Sequence, residues 1–130
     1  MIVLDTHVWI RWLLPSAGRL PKDLRHILDC AEELSISTVS IYELIIAVGR
    51  GRLSLNLPLD EWIREGLSES GVIPIAPNET IVHRAGLLPS IHGDPLDRII
   101  IATALCHSAK VASLDVKFSA YLELSGRIIG

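Results

Sequence analysis

Two carboxylates, Asp94 and Asp97, stand three residues apart with Pro95 between them, and an apolar run from Ile99 to Cys106 follows. The Asp-Pro pair predicts a helix start, because aspartate is a favoured N-cap and proline a favoured first helical residue. Asp97 then falls in the first turn, where the helix dipole favours a negative charge. Considered alone, the pair indicates a well-capped helix, so its chemical interpretation depends on the other acids of the chain.

Three further acids stand where a predicted strand passes into a predicted helix. Asp5 ends the first strand-like run, Glu43 lies just after the second, and Asp115 ends the fourth. Asp5 and Asp115 are also suitable N-caps. Ser40 and Glu43 have the spacing of a capping box, in which each side chain bonds the other residue's backbone amide. Each position therefore has both a structural and a functional interpretation.

The order of the predicted elements determines where these acids meet. Strand-like runs span residues 2–4, 34–38, 72–76, 110–114 and 127–129, and helix-like segments lie at 6–14, 21–33, 40–48, 60–70, 78–85, 95–108 and 118–124. This alternation predicts an α/β protein, one domain over residues 1–130 with a central parallel sheet and helices on both faces. Pro74 places its strand at an edge. Ligands of such sheets bind beyond the carboxyl ends of the strands.

Several carboxylates at one edge of a sheet point to a particular chemistry. Like charges that crowd together repel, which pushes carboxyl groups toward protonation, and a divalent cation reverses that cost. Hard oxygen ligands without cysteine select Mg²⁺ or Mn²⁺ over zinc. Such a cluster suits metal-assisted cleavage of a phosphodiester, in which the metal activates water and holds the leaving oxygen.

Composition limits the remaining possibilities. The chain has 130 residues, 49% of them hydrophobic, and a formal net charge of −3. A negative chain does not hold nucleic acid through its overall charge, so an RNA or DNA partner requires local basic residues or metal ions. No apolar run is long enough to span a membrane, and we expect the first residues to form a strand and not a signal peptide. We therefore expect a cytoplasmic protein.

Four segments together resemble the motifs of PIN-domain ribonucleases, and most of all the VapC-type toxins of toxin–antitoxin pairs. The segments are Val-Leu-Asp-Thr-His-Val-Trp at 3–9, Ser-Ile-Tyr-Glu at 40–43, His-Gly-Asp-Pro-Leu-Asp-Arg at 92–98 with Ala102 and Ala104, and Ser-Leu-Asp at 113–115. The Asp-Pro-Leu-Asp-Arg block is the most specific of them. Leu96 departs from the pattern, because an aromatic residue is usual at that position.

The resemblance implies a single PIN-like domain that cleaves RNA endonucleolytically with Mg²⁺ or Mn²⁺, forms a homodimer and binds a small antitoxin protein. Matched by position, the metal-binding and catalytic quartet falls on Asp5, Glu43, Asp97 and Asp115. Asp94 matches an acid near the site that also suits a helix cap. Thr6 and Ser113 match small hydroxyl residues beside the acids.

The arginines and histidines near these acids allow secondary assignments. Candidates for phosphate contacts are Arg11, Arg50, Arg52 and, because it follows Asp97 directly, Arg98. We expect His7 and His92 to have structural or substrate-edge roles, since carboxylates alone suffice for Mg²⁺.

Two other classes of function compete with the ribonuclease. A catalytically inactive PIN-like module that only binds a partner is the main alternative, although the presence of all four acids argues against it. A phosphoaspartyl enzyme or receiver would also place an aspartate at the end of the first strand. The dehalogenase type of that site needs a second aspartate two residues further on, where this chain has His7.

Overall fold

The computed structural model describes residues 1–91 and 93–130, so His92 lies outside the described residues. Within them, five parallel strands form one sheet: β1 Ile2–Leu4, β2 Leu34–Ser37, β3 Val72–Ile75, β4 Lys110–Ala112 and β5 Ile128–Ile129. Their order is β3-β2-β1-β4-β5, which places the strand with Pro74 at an edge, as predicted. The predicted α/β fold with a central parallel sheet is confirmed.

Six α-helices connect the strands in the described ranges: α1 Thr6–Leu13, α2 Lys22–Cys30, α3 Val39–Gly49, α4 Leu59–Arg64, α5 Glu79–Leu87 and α6 Pro95–Cys106. The helix predicted over 60–70 is shorter, because a π-helical turn, Glu65–Glu69, replaces its second half. The helix predicted over 118–124 is wrong, since two 3₁₀ turns, Val116–Ala120 and Leu122–Leu124, occupy that segment. In the part of the chain that the structure describes, none of the helices is both long and apolar enough to cross a membrane.

The central strand β1 sends its side chains to two separate cores. Val3 packs in a cluster with Ile100 and Ile101 of α6, whereas Leu4 packs in a cluster with Trp9 of α1 and Leu44 of α3. Neighbouring residues of a strand point to opposite faces of a sheet. Helices therefore cover both faces, as the alternation of elements predicts.

All the parallel strands end at one edge of the sheet. There the backbone amide of Asp5 donates to the carbonyl of Ala112, with 2.9 Å between nitrogen and oxygen, which joins the end of β1 to the end of β4. Thr6 begins α1 directly after β1, and Val39 begins α3 two residues after Ser37, the last residue of β2. The starts of these two helices and the loop after β4 consequently share one edge.

Trp9 connects α1 to the π-helical turn. Its indole Nε1 donates to the carbonyl oxygen of Gly66 at 2.9 Å, and its ring meets that of Trp62 edge-on, with the ring centroids 5.3 Å apart. A Cβ atom on Gly66 would lie 3.1 Å from a Trp9 ring carbon and 3.2 Å from a methyl carbon of Leu13. A Cβ at this position therefore fits only if the neighbouring side chains shift by a few tenths of an ångström.

Gly66→Ala should lower the free energy of unfolding by about 1–3 kcal/mol, because the added methyl group overpacks a buried aromatic contact. Denaturant unfolding followed by tryptophan fluorescence measures this change. Gly86→Ala is the matched control, since Gly86 is also helical and a Cβ there meets nothing within 4 Å. Equal stability of the two variants would contradict the packing described here.

Candidate active site

Asp5 is buried at the junction of β1 and α1, with 3% of its surface exposed. It occupies the N-cap position of α1 with extended backbone, but its side chain caps no amide of that helix. Its Oδ2 instead accepts a hydrogen bond from Ser113 Oγ at 2.9 Å. Its Oδ1 is buried and has no hydrogen-bond partner among the described residues. A buried carboxylate oxygen without a partner is costly, so the N-cap interpretation does not account for Asp5.

Ser113 orders the loop that leads from β4 to Asp115. Its Oγ accepts a hydrogen bond from the Asp115 backbone amide at 3.1 Å while it donates to Asp5. The strand β4 ends at Ala112, so Asp115 lies in this loop and not at a strand end as predicted. The Asp115 Oδ1 atom caps the following 3₁₀ turn by accepting from the amide of Lys117 at 2.9 Å. The N-cap interpretation of Asp115 is confirmed, and the same loop brings Asp115 close to Asp5.

The neighbouring pair of hydroxyl groups holds Glu43. Thr6 Oγ1 donates to Glu43 Oε1 at 2.7 Å and lies 2.7 Å from the buried Ser40 Oγ. A hydroxyl has one proton, so Thr6 accepts from Ser40 while it donates to Glu43. The capping-box interpretation of Ser40 and Glu43 is therefore wrong, because both side chains turn to α1 and the N-cap position of α3 is Thr38. Ser40 is the site residue that sequence reasoning misassigned.

The pKa of Asp5 is raised above its usual value, chiefly because burial removes water from the charged form. The hydrogen bond from Ser113, the nearby charge of His7 and the adjacent backbone amide of Thr6 act in the opposite direction, and the negative charge of Asp115 adds to the increase. The repulsion between carboxylates that the sequence predicts is therefore present, but it is a smaller cause than desolvation.

The pKa of the half-buried Glu43 is set by the same opposing effects. Burial raises its pKa, the hydrogen bond from Thr6 lowers it, and the charges of Asp94 and Asp5 raise it further. The electrostatic contacts connect Glu43 with Asp5 and Asp5 with Asp115. Asp5 is thus electrostatically linked to two of the other three members of the predicted quartet, Glu43 and Asp115.

The helix α6 supplies the remaining acids. Asp94 is exposed and caps this helix, because its Oδ1 accepts from the Leu96 amide at 2.9 Å. Asp97 lies half-buried in the first turn, on a helix that packs against β1 and β2. Among residues 1–91 and 93–130, no three Asp, Glu, His or Cys side chains are grouped closely enough to hold a metal ion. The four-acid metal site therefore stays a prediction.

Arg98 has a structural role that the sequence does not reveal. Its guanidinium donates to the backbone oxygens of Ala85, Gly86, Leu88 and Pro89, at distances of 2.8–3.3 Å. These carbonyls belong to the last residues of α5 and the loop after it, where helical partners are lacking. The Arg98 guanidinium therefore stabilises the end of α5, and its phosphate contact stays a prediction.

A cavity of about 570 Å³ opens beside Glu43, between α1 and α3; we call it the α1–α3 groove. One wall comes from Thr6, His7, Ile10 and Arg11 of α1, and the other from Tyr42, Glu43, Ile46 and Ala47 of α3. Asp94 and Glu43 make one part of the groove acidic. Arg11, Arg50 and Arg52 make another part basic, so three of the four predicted phosphate contacts line one cavity.

The fold and the site define a class of protein: an α/β domain with carboxylates at the carboxyl edge of a parallel sheet, next to a partly basic groove. The family model of the PIN domain matches residues 2–123, and the chain belongs to the PIN-domain family. It is 30% identical over 115 residues to Ribonuclease VapC22 of Mycobacterium tuberculosis, which covers 88% of this chain and 86% of that protein. The resemblance to the VapC group is thereby confirmed.

Solved structures share this fold at low sequence identity. A toxin–antitoxin complex from Klebsiella pneumoniae aligns with a TM-score of 0.70 and 18% identity, over 100% of this chain and 97% of that chain. VapBC2 from Rickettsia felis, bound to a DNA fragment from its promoter, aligns with the same score and identity, over 99% and 98%. FitAcB from Neisseria gonorrhoeae aligns with a TM-score of 0.64 and 22% identity, over 100% and 97%.

Asp5→Asn tests whether the buried charge lowers the stability of the fold. A carboxyl group whose folded pKa is raised stabilises the protein below its unfolded pKa and loses that contribution as pH rises through the folded value. In EDTA at pH 7, the variant should therefore melt at the same or a higher temperature than the wild type. The difference should shrink as pH falls toward the usual pKa of aspartate.

Thermal melts at a series of pH values measure the effect, and Asp60→Asn is the control because Asp60 is an exposed acid outside the site. An Asp5→Asn variant that melts well below the wild type at pH 7 would show that the carboxylate is a structural group of the fold.

Proposed function

We propose that this protein is a metal-dependent endoribonuclease and the toxin of a toxin–antitoxin pair. The observation that carries the proposal is the buried Asp5 Oδ1, which lacks a hydrogen-bond partner among the described residues and lies at the ligand-binding edge of a PIN-domain sheet. Thirty per cent identity to a protein named as a ribonuclease, over most of both chains, supports the reaction class.

The donor atoms suit Mg²⁺ or Mn²⁺. The proposed ligands are Asp5, Glu43, Asp97 and Asp115, all hard oxygen donors. A divalent cation held there would lower the pKa of a bound water and stabilise charge on the phosphate. A cation would also provide the missing partner of Asp5 Oδ1 and offset the raised pKa values of Asp5 and Glu43.

The hydroxyl groups fix the orientation of these acids. Ser113 bonds one oxygen of Asp5 and Thr6 bonds one oxygen of Glu43, so each carboxylate has a defined rotamer and keeps its other oxygen for a ligand. Ser40 in turn fixes the Thr6 hydroxyl. Hydrogen bonds of this kind around metal ligands commonly contribute 10–100-fold to metal affinity or activity, by analogy with other metalloenzymes.

The substrate contacts come from the basic part of the α1–α3 groove. Arg11, Arg50 and Arg52 are placed to neutralise phosphates of an RNA strand whose cleaved bond lies near Glu43. His7 is exposed in the same groove and adds a polar contact at the substrate edge. Local charge of this kind allows a chain with a net charge of −3 to bind RNA.

The proposed partners are a small antitoxin and a second copy of the chain. The solved relatives include toxin–antitoxin complexes, and exposed apolar side chains offer surfaces for partners here: Leu87, Val116 and Leu122 are each more than two-thirds exposed. Trp9 and Trp62 do not supply these surfaces, because they are buried against each other.

The test is cleavage of RNA by the purified chain with and without divalent cations. Cleavage should stop in excess EDTA and return with Mg²⁺ or Mn²⁺. Asp5→Asn and Asp97→Asn should each lower the rate by about 100-fold or more, because each removes a proposed metal ligand. Asp60→Asn, outside the site, should cleave at the wild-type rate.

Two outcomes would contradict the proposal in different ways. Full activity in EDTA would exclude a metal-dependent mechanism. A folded wild type that cleaves no RNA with any divalent cation, yet binds a partner protein, would indicate the inactive PIN-like module.

A further inference from the structure

Tyr42 exposes an aromatic ring inside the α1–α3 groove. It lies on α3 directly before Glu43, lines the same cavity and has 59% of its surface exposed. The chain has only two tyrosines, and the other, Tyr121, is buried in a core. Aromatic rings normally bury their faces, so an exposed ring beside the Glu43 carboxylate offers a surface for a flat ligand.

The walls next to Tyr42 are apolar. Ile46 lies one helical turn beyond Tyr42 on α3, and Ile10 faces it from α1. Leu53 contributes from the loop after α3. A flat and weakly polar group that enters the groove at Tyr42 would thus contact apolar side chains and remain next to the acidic part.

The basic part begins further along the same two helices. Arg50 follows Tyr42 by eight residues, which corresponds to about 12 Å along the helix axis. On α1, the Arg11 side chain packs over Gly18, where a Cβ atom would lie 2.7 Å from Arg11 Nε. The Arg11 side chain therefore lies against the loop after α1. The groove offers a flat apolar surface and positive charge to the same ligand.

We propose that the α1–α3 groove binds one unpaired nucleotide of the substrate, with Tyr42 stacked on the base next to the cleaved bond and the arginines on the adjoining phosphates. The inference rests on the proposed ribonuclease function and assigns to Tyr42 the recognition of the base at the cut. A base can stack on a protein ring only when it has left its own helix. Three arginines outnumber the two acids of the groove, Glu43 and Asp94, and this excess of positive charge favours an anionic occupant such as an RNA strand.

The experiment uses Tyr42→Phe, which keeps a ring, and Tyr42→Leu, which keeps apolar bulk without a π face. Ile45→Ala is the matched control, because Ile45 is an exposed apolar residue of α3 that is not part of the groove lining. Each protein is given a randomised single-stranded RNA and the same sequences as duplexes. Steady-state rates and the sequences of the cleaved ends are then determined.

Tyr42→Leu should raise KM about tenfold or more with little change in kcat, since stacking holds substrate and transition state alike. It should also weaken the base preference next to the cut. Tyr42→Phe and Ile45→Ala should behave as wild type, and duplexes should be cleaved much more slowly than single strands.

Three results separate failure of this inference from failure of the proposed function. Wild-type cleavage with unchanged KM and base preference in Tyr42→Leu would overturn the inference and leave the ribonuclease intact. Normal RNA kinetics together with impaired binding of a protein partner would assign the groove to that partner. Absence of cleavage by a folded wild type would overturn the proposed function and, with it, the inference.

Discussion

The hydrogen bond from Ser113 Oγ to Asp5 Oδ2 joins residues that are 108 positions apart in the chain. It requires β1 and β4 to be neighbours, and the backbone bond between Asp5 and Ala112 fixes their ends side by side. With one oxygen bonded and the other without a described partner, the Asp5 carboxylate remains buried with its pKa raised. The positive end of α1 offsets part of that cost. The fold thus maintains a buried carboxyl group whose charged form is unfavourable in the absence of a ligand.

Glu43, the second acid, is also oriented by a hydrogen bond from a hydroxyl group. Asp5 bonds toward β4, whereas the next residue, Thr6, bonds toward Ser40 and Glu43 of α3. Two consecutive residues at the end of one strand therefore control the acids contributed by two neighbouring elements. Because Thr6 and Glu43 lie on helices and Ser113 directly follows β4, these bonds orient the carboxylates before substrate binds. Preorganisation of this type is what electrostatic catalysis requires.

Local pattern predicted most of the elements and the edge of the sheet at which Asp5 and Glu43 lie. Pro74 identified the edge strand, and Asp94 and Pro95 identified the start of α6. The failures occurred where a tertiary partner replaces a local one. Ser40 and Glu43 fit a capping box, but the side chains of both residues form hydrogen bonds with Thr6 of another helix instead.

Other features depend on tertiary packing, which cannot be predicted from patterns in a single sequence. Arg98 finds four carbonyls at the end of α5 that only the packing of α5 against α6 brings near. The groove beside Tyr42 exists because α1 and α3 face each other. The pKa values of Asp5 and Glu43 are raised mainly by burial, and burial cannot be predicted from the positions of charged residues in the sequence.

The central claim is that the Asp5 carboxylate is held for a divalent cation. Titration of Mn²⁺ into the protein without RNA, with free Mn²⁺ followed by electron paramagnetic resonance, measures this directly. The account predicts saturable binding at pH 7.5 that weakens as pH falls, because binding must displace protons from groups with raised pKa values. It also predicts loss of that binding in Asp5→Asn and retention in Asp60→Asn. Equal Mn²⁺ binding by wild type and Asp5→Asn would contradict it.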